Sequence, residues 1–107
     1  MIKLKNIVTE ALIDPGEEHE CFRNAWRWAL KHDDGKTFVV HGKVTNVEGK
    51  RFNHAWVEVG NEVVDPTSGV RMDAAKWYKL LNAQSDAKYT PLEAGRNMIK
   101  MGHLGPW

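Results

Sequence analysis

The spacing of apolar residues predicts a helix in the segment "CFRNAWRWALKH", residues 21–32. Apolar positions recur there at intervals of three and four, which places them on one helical face. They are Phe22, Ala25, Trp26, Ala29 and Leu30. The segment "DPGE" at 14–17 supplies an N-cap, a proline at the first helical position and a glutamate at the third, so the helix could begin there. A start near Glu20 is the alternative, and it alone would place Cys21 in the first turn.

Three β-rich segments follow the helix, which ends at "DDG", residues 33–35. They are "KTFVVHGKVTNV" (36–47), "RFNHAWVEV" (51–59) and "EVVDPT" (62–67), and they are separated by the turn sequences "EGK" and "GN". Their β-branched content and short turns predict a three-stranded antiparallel meander that ends at Pro66.

Two helices are predicted after the meander, in "MDAAKWYKLLNA" (72–83) and "TPLEAGRNMIKMG" (90–102). The second begins with Thr90 as N-cap and ends at Gly102. Residues 1–13 suit either a helix or a strand. The pattern therefore predicts a single α+β domain over residues 1–107, with a cysteine-bearing helix packed on a small three-stranded antiparallel sheet and two C-terminal helices.

The hairpin "NHAWVEVGNEVVDPT", residues 53–67, has a register that its turn fixes. If Gly60 and Asn61 form a two-residue loop, as Gly-Asn favours, Trp56 lies opposite Asp65. Side chains alternate between faces, so His54, Trp56 and Asp65 share one face. His54 and Asp65 are then diagonal neighbours that two inward-leaning side chains can bridge. The alternative is that both are ordinary polar residues at strand ends.

Composition excludes several classes of function. The net charge is +1 with acids and bases interspersed, so nothing indicates binding to nucleic acid or to a membrane surface. No apolar run is long enough to span a bilayer, and the N-terminus does not resemble a signal peptide. A single cysteine cannot form an internal disulfide or a cysteine-rich zinc site. We therefore expect a cytoplasmic globular domain without a cofactor.

Cys21, His54 and Asp65 are the residue types that nucleophilic catalysis by a thiol requires. A thiol attacks as the thiolate, and a nearby base must take its proton. That base is usually a histidine held in one tautomer by a carboxylate or an amide. The three residues supply nucleophile, base and orienting acid, although a lone cysteine is also common as a small buried hydrophobe.

The motifs "HAWVEV" and "VVDPT", with an upstream cysteine at a helix start, resemble the transglutaminase-like superfamily of papain-like cysteine enzymes. The resemblance covers residues 21–67. It implies an α+β fold with Cys21 as nucleophile, His54 as general base and Asp65 as orienting acid. The implied activity is hydrolysis or acyl transfer at an amide, in a peptide, an isopeptide or a glutamine side chain, through a thioester.

Further residues are candidates for the oxyanion donor, for substrate contact and for structural roles. The Cys21 backbone N–H is a candidate oxyanion donor, and Trp56, Asn24 and His19 are candidates for oxyanion or substrate contact. His41, mid-strand, is expected to have a structural or surface role, and no short-spaced ligand pair supports a metal site. The tail "GHLGPW", residues 102–107, is expected to pack back over the body of the domain.

A second hypothesis is an inactive protein-binding module on the same fold. Glu17, Glu18 and Glu20 favour it, because like charges oppose formation of a thiolate. In the enzymatic interpretation the substrate is a protein or peptide. A protein partner or a second copy of the chain would complete a site that so small a domain builds only in part.

Overall fold

The computed structural model describes residues 20–107 in full and residues 11–12 by their backbone. The described residues form three helices and one sheet. The helices are α1 (Cys21–Lys31), α2 (Ala74–Leu81) and α3 (Pro91–Met101). The strands are β1 (Ala11–Leu12), β2 (Thr37–Thr45), β3 (Arg51–Val59), β4 (Glu62–Asp65), β5 (Val70–Asp73) and β6 (Gln84–Tyr89). They pair antiparallel in the order β1-β5-β4-β3-β2-β6.

Each face of the sheet carries its own apolar core, because alternate residues of the central strands point to opposite sides. The core on the side of α1 and α3 consists of Ala25, Ala29, Val39, Ala55, Val57, Val64 and Ala94. The core on the side of α2 consists of Val40, Val44, Trp56, Val63, Met72 and Trp77. The sheet is thus the middle layer of three, and His54 lies on the α2 side with Trp56.

The central meander and its turn are as predicted. Val59 pairs with Glu62 and Val57 with Val64, so Gly60 and Asn61 form the two-residue loop. Gly60 has a φ of +58°, which the first position of a primed hairpin turn requires and which glycine adopts without strain. The register places His54 and Asp65 on one face.

The predicted three-stranded architecture is wrong, although the α+β class is right. The sheet also contains β5 and β6, and the two C-terminal helices are separated by β6 and lie on opposite faces. Met72 and Asp73, the second half of β5, are predicted as the start of a helix, but that helix begins only at Ala74, after Asp73 accepts a hydrogen bond from the Lys76 N–H as N-cap. β6 is an edge strand with mainly exposed side chains, so it lacks the apolar alternation that would have revealed it.

The helical predictions hold with small changes. α3 begins with a capping box between Thr90 and Glu93 and ends at Gly102 in the left-handed conformation. In α1, Ala25 and Ala29 are fully buried, but Leu30 is 48% exposed and does not belong to the buried face. None of the described helices is long and apolar enough to cross a bilayer.

Gly42 lies opposite His54 on β2, where the pairing with β6 shifts register. A Cβ at this position would lie 1.9 Å from the Gln84 carbonyl oxygen and 2.6 Å from the ring of Trp56. We expect Gly42→Ala to lower the free energy of unfolding by about 1–3 kcal/mol, since backbone and a buried indole must move. Urea denaturation measures the change.

Gly95→Ala is the matched control for this substitution. Gly95 lies within α3, and a Cβ there makes only ordinary contacts, the nearest being 3.6 Å from the Trp26 indole nitrogen. Alanine is a better helix former than glycine, so this variant should be as stable as the wild type or slightly more stable. Equal stability of the two variants would contradict the close approach at Gly42.

Candidate active site

His54 and Asp65 form a buried pair on the α2 face of the hairpin. The Nε2 atom of His54 lies 2.9 Å from Oδ2 of Asp65, and the two residues are 8% and 3% exposed. This is the diagonal pair that the hairpin register predicts. The contact assigns Nε2 as the protonated ring nitrogen, because the carboxylate can only accept. The Nδ1 atom is left for a second partner.

The second partner of the His54 ring is Cys21. Burial by itself would lower the pKa of His54, but hydrogen bonds and charge from Asp65 and from Cys21 outweigh it and raise that pKa to about 9. The imidazole is therefore protonated at neutral pH in this structure. Since Asp65 occupies Nε2, the nitrogen that remains for the sulfur is Nδ1. The three predicted residues meet in the order Cys21, His54, Asp65.

Cys21 is the first residue of α1, with Glu20 as N-cap. The first intrahelical bond runs from the Asn24 N–H to the Glu20 carbonyl, so the amides of residues 21–23 have no partner within the helix. These amides and the helix dipole stabilise negative charge near the helix start. The late start predicted as an alternative is therefore the observed one, and it leaves the Cys21 N–H without a partner within the helix.

The turn after Asp65 lies against the first turn of α1. The pairing of β3 with β4 ends at Val57 and Val64, and the chain turns after Asp65, where the Gly69 N–H bonds to the Asp65 carbonyl. The Asn24 side chain donates a 3.0 Å hydrogen bond to Oγ1 of Thr67 in that turn. Asn24, a candidate for substrate contact, thus links the first turn of α1 to the loop that carries Asp65.

Trp56, the second contact candidate, is part of the core. It is fully buried, its ring stacks at 6.2 Å on the ring of His54, and its indole N–H points to Glu58 at 3.5 Å. Trp56 therefore packs against the His54 ring. The third candidate, His19, lies outside the described residues, as do Glu17 and Glu18.

Glu58 lies on the same face of β3 as His54 and Trp56, two residues after Trp56. It is only 9% exposed and accepts hydrogen bonds from the Tyr78 hydroxyl and from Trp56, while Lys88 lies 2.7 Å from its other oxygen. Burial and the contact with Glu58 raise the pKa of Tyr78 above its ordinary value. The sequence offers one signal for this role: Glu58 follows Trp56 by two residues and therefore occupies an inward-facing strand position, where a carboxylate needs a partner.

Glu20 is the one described member of the acidic group before Cys21. Its carboxylate lies 3.8 Å from the guanidinium of Arg23, and both side chains are partly exposed. The neighbouring positive charge and the solvent reduce its effect on the sulfur.

His41 belongs to a separate aromatic cluster. It is 3% exposed, burial lowers its pKa to about 4, and its ring contacts Phe22, Tyr89 and Trp107 at 4.6, 5.2 and 4.8 Å. Trp107 thereby packs the C-terminal tail against the body, as predicted. In the described part of the chain, no group of three or more His, Cys, Asp or Glu side chains is placed to hold a metal ion.

Comparisons with protein-family models, with curated proteins and with solved structures give no match to this chain.

Proposed function

We propose that the protein is a cysteine-dependent hydrolase or acyltransferase of transglutaminase-like type that acts on an amide. The observation that carries the proposal is the pairing of the His54 ring with Asp65 through Nε2 and with Cys21 at its other side. A base held in one tautomer next to a thiol at a helix start is the arrangement that nucleophilic thiol catalysis needs. The resemblance of "HAWVEV" and "VVDPT" to the superfamily motifs points to the same chemistry.

In the proposed reaction, Cys21 has already given its proton to Nδ1 of His54, and the thiolate attacks the amide carbonyl carbon. The oxyanion accepts a hydrogen bond from the Cys21 backbone N–H. The His54 imidazolium then gives its Nδ1 proton to the amide nitrogen, the C–N bond breaks and an amine leaves. A thioester remains on Cys21. Water or a second amine attacks it, His54 takes the attacker's proton, and the thiolate is released.

Asp65 acts on this cycle through His54. Its carboxylate stabilises the imidazolium and holds the ring so that Nδ1 faces the sulfur. The cycle requires no cofactor. A protein or peptide substrate and, in so small a domain, a protein partner or second copy that completes the site are parts of the proposal. A cytoplasmic location also belongs to it, because a reducing compartment keeps Cys21 as a thiol.

Acylation by p-nitrophenyl acetate tests the proposed reaction directly. The wild type should release p-nitrophenolate and carry one acetyl group on Cys21, located by peptide mass spectrometry. Added methylamine or water should then remove the acetyl group and restore the thiol. Cys21→Ser should not be acetylated at position 21.

The binding-module hypothesis predicts a different result in the same experiment. Cys21 would then be acetylated no faster than the thiol of glutathione under the same conditions, and His54→Ala would acetylate at the wild-type rate. That outcome would reject the enzymatic proposal.

A further inference from the structure

An apolar cleft adjoins the His54–Asp65 pair on the α2 side of the sheet. Its volume is about 540 Å³, within the range of pockets that bind small molecules and peptide side chains. The side chains of His54 and Asp65 form part of its wall. The apolar part of the wall includes Val44, Phe52, Val70, Met72, Trp77 and Leu81. A ligand in the cleft therefore lies beside the reactive pair.

The mouth of the apolar cleft exposes hydrophobic side chains to water. Val47 and Leu80 line it and are 104% and 70% exposed, and Phe52, which contacts the His54 ring at 6.0 Å, is 41% exposed. Among the described lining residues, Asp65 is the one acid and no lysine or arginine is present. Burial of such a surface favours an apolar occupant and disfavours a charged one, which would lose its hydration while the charged groups of the lining, His54 and Asp65, already pair with each other.

Polar residues also line the apolar cleft, namely Thr45, Asn46 and Ser68, and a peptide backbone can form hydrogen bonds with them. A peptide brings a backbone N–H next to each side chain, whereas a hydrocarbon or lipid chain brings none.

We propose that the apolar cleft binds a bulky apolar side chain, aromatic or branched aliphatic, of a peptide substrate next to the amide that Cys21 attacks. This inference rests on the proposed function and names its substrate class. It makes the enzyme selective for amides flanked by residues such as Phe or Leu over those flanked by Gly or Asp.

Chloromethyl ketone peptides measure this preference through the rate at which they alkylate Cys21. The probes are the chloromethyl ketones of N-acetyl-Phe-Gly, N-acetyl-Gly-Phe, N-acetyl-Gly-Gly and N-acetyl-Asp-Gly, with iodoacetamide as the reagent that needs no pocket. We expect one of the Phe probes to react about 10- to 100-fold faster than the Gly-Gly probe, which is the effect of burying one large apolar side chain. The Asp probe should react no faster than Gly-Gly.

Two variants at the mouth of the apolar cleft and one control locate the effect. Leu80→Glu and, independently, Val47→Glu should each reduce the Phe preference, measured as the ratio of the Phe-probe rate to the Gly-Gly-probe rate in the same variant, at least several-fold. Both positions are exposed, so the fold tolerates the change. Leu92→Glu is the control, because Leu92 is 61% exposed on α3 and does not line the apolar cleft. It should keep the full preference.

The possible results separate the two proposals. If iodoacetamide labels the wild type faster than His54→Ala but all peptide probes react alike, the cleft proposal is overturned and the proposed function stands. If the Phe preference survives in both mouth variants, the cleft is not its source and the proposal is likewise overturned. If iodoacetamide shows no dependence on His54, both proposals fail.

Discussion

His54→Ala is expected to slow alkylation of Cys21 by iodoacetamide at pH 6 by about 10- to 100-fold. The thiolate is the form of a cysteine that attacks, and the positive charge of a neighbouring imidazolium favours that form. The His54 ring is held for this role, because Asp65 and Cys21 raise its pKa to about 9 against the effect of burial. Labelling reactions that are quenched at set times and quantified by mass spectrometry give the rate of alkylation. Acyl transfer by the same variant should fall further, about 10²- to 10⁴-fold, because the general base and acid are lost.

His32→Ala is the control, because it removes a histidine side chain that lies outside the site. His32 is exposed, stacks on Trp28 at the other end of α1 and makes no contact with the site. Its removal should leave the alkylation rate within about twofold of the wild type, since surface changes away from the site have small effects. Equal rates for the wild type and His54→Ala at pH 6 would show that the ring does not activate the sulfur.

Asp65→Asn is expected to destabilise the protein in a pH-dependent way. The folded-state pKa of His54 is raised from 6.5 to about 9, so the stability that its protonation contributes is fully present below pH 6.5 and is lost as the pH rises through 9. The whole shift corresponds to about 3 kcal/mol, and the hydrogen bond between charged partners supplies about 1.5–3 kcal/mol of it. The variant should therefore be less stable by that amount at pH 6 and closer to the wild type at pH 9.5.

Urea unfolding at both pH values, compared with Asp86→Asn, measures this difference. Asp86 forms an exposed ion pair with Lys43 at 2.9 Å, and such pairs contribute little. That control should change the free energy of unfolding little, and by the same amount at both pH values. A difference between the wild type and Asp65→Asn that is as large at pH 9.5 as at pH 6 would contradict the buried imidazolium–carboxylate pair.

The central hairpin was predictable because local rules determine it. A two-residue Gly-Asn turn has one favoured geometry, and the two-residue period of a strand then assigns every side chain to a face. The contact between His54 and Asp65 followed from these two facts. The edge strand β6 was not predictable in the same way, because its pairing with β2 depends on backbone hydrogen bonds that its polar residues do not reveal.

The start of α1 shows why local signals were insufficient near the nucleophile. Pro15 and Glu17 indicated an early start, whereas the helix begins at Cys21, beside a turn with which Asn24 forms a hydrogen bond. That contact joins residues 43 positions apart, so no local pattern contains it. The apolar cleft likewise combines β2, β3, β5 and α2, and β5 was absent from the predicted architecture.

Nitrogen-15 NMR of histidine-labelled protein measures the protonation of the His54 ring, on which the coupling of Cys21, His54 and Asp65 depends. A titration from pH 5 to 10 should show both ring nitrogens of His54 protonated at pH 7, with a midpoint near 9. In Cys21→Ser the midpoint should fall, since the sulfur contributes to the shift, yet stay above 6.5 because Asp65 remains. A wild-type midpoint near 6.5 that Cys21→Ser does not change would contradict the coupling of Cys21, His54 and Asp65 in one site.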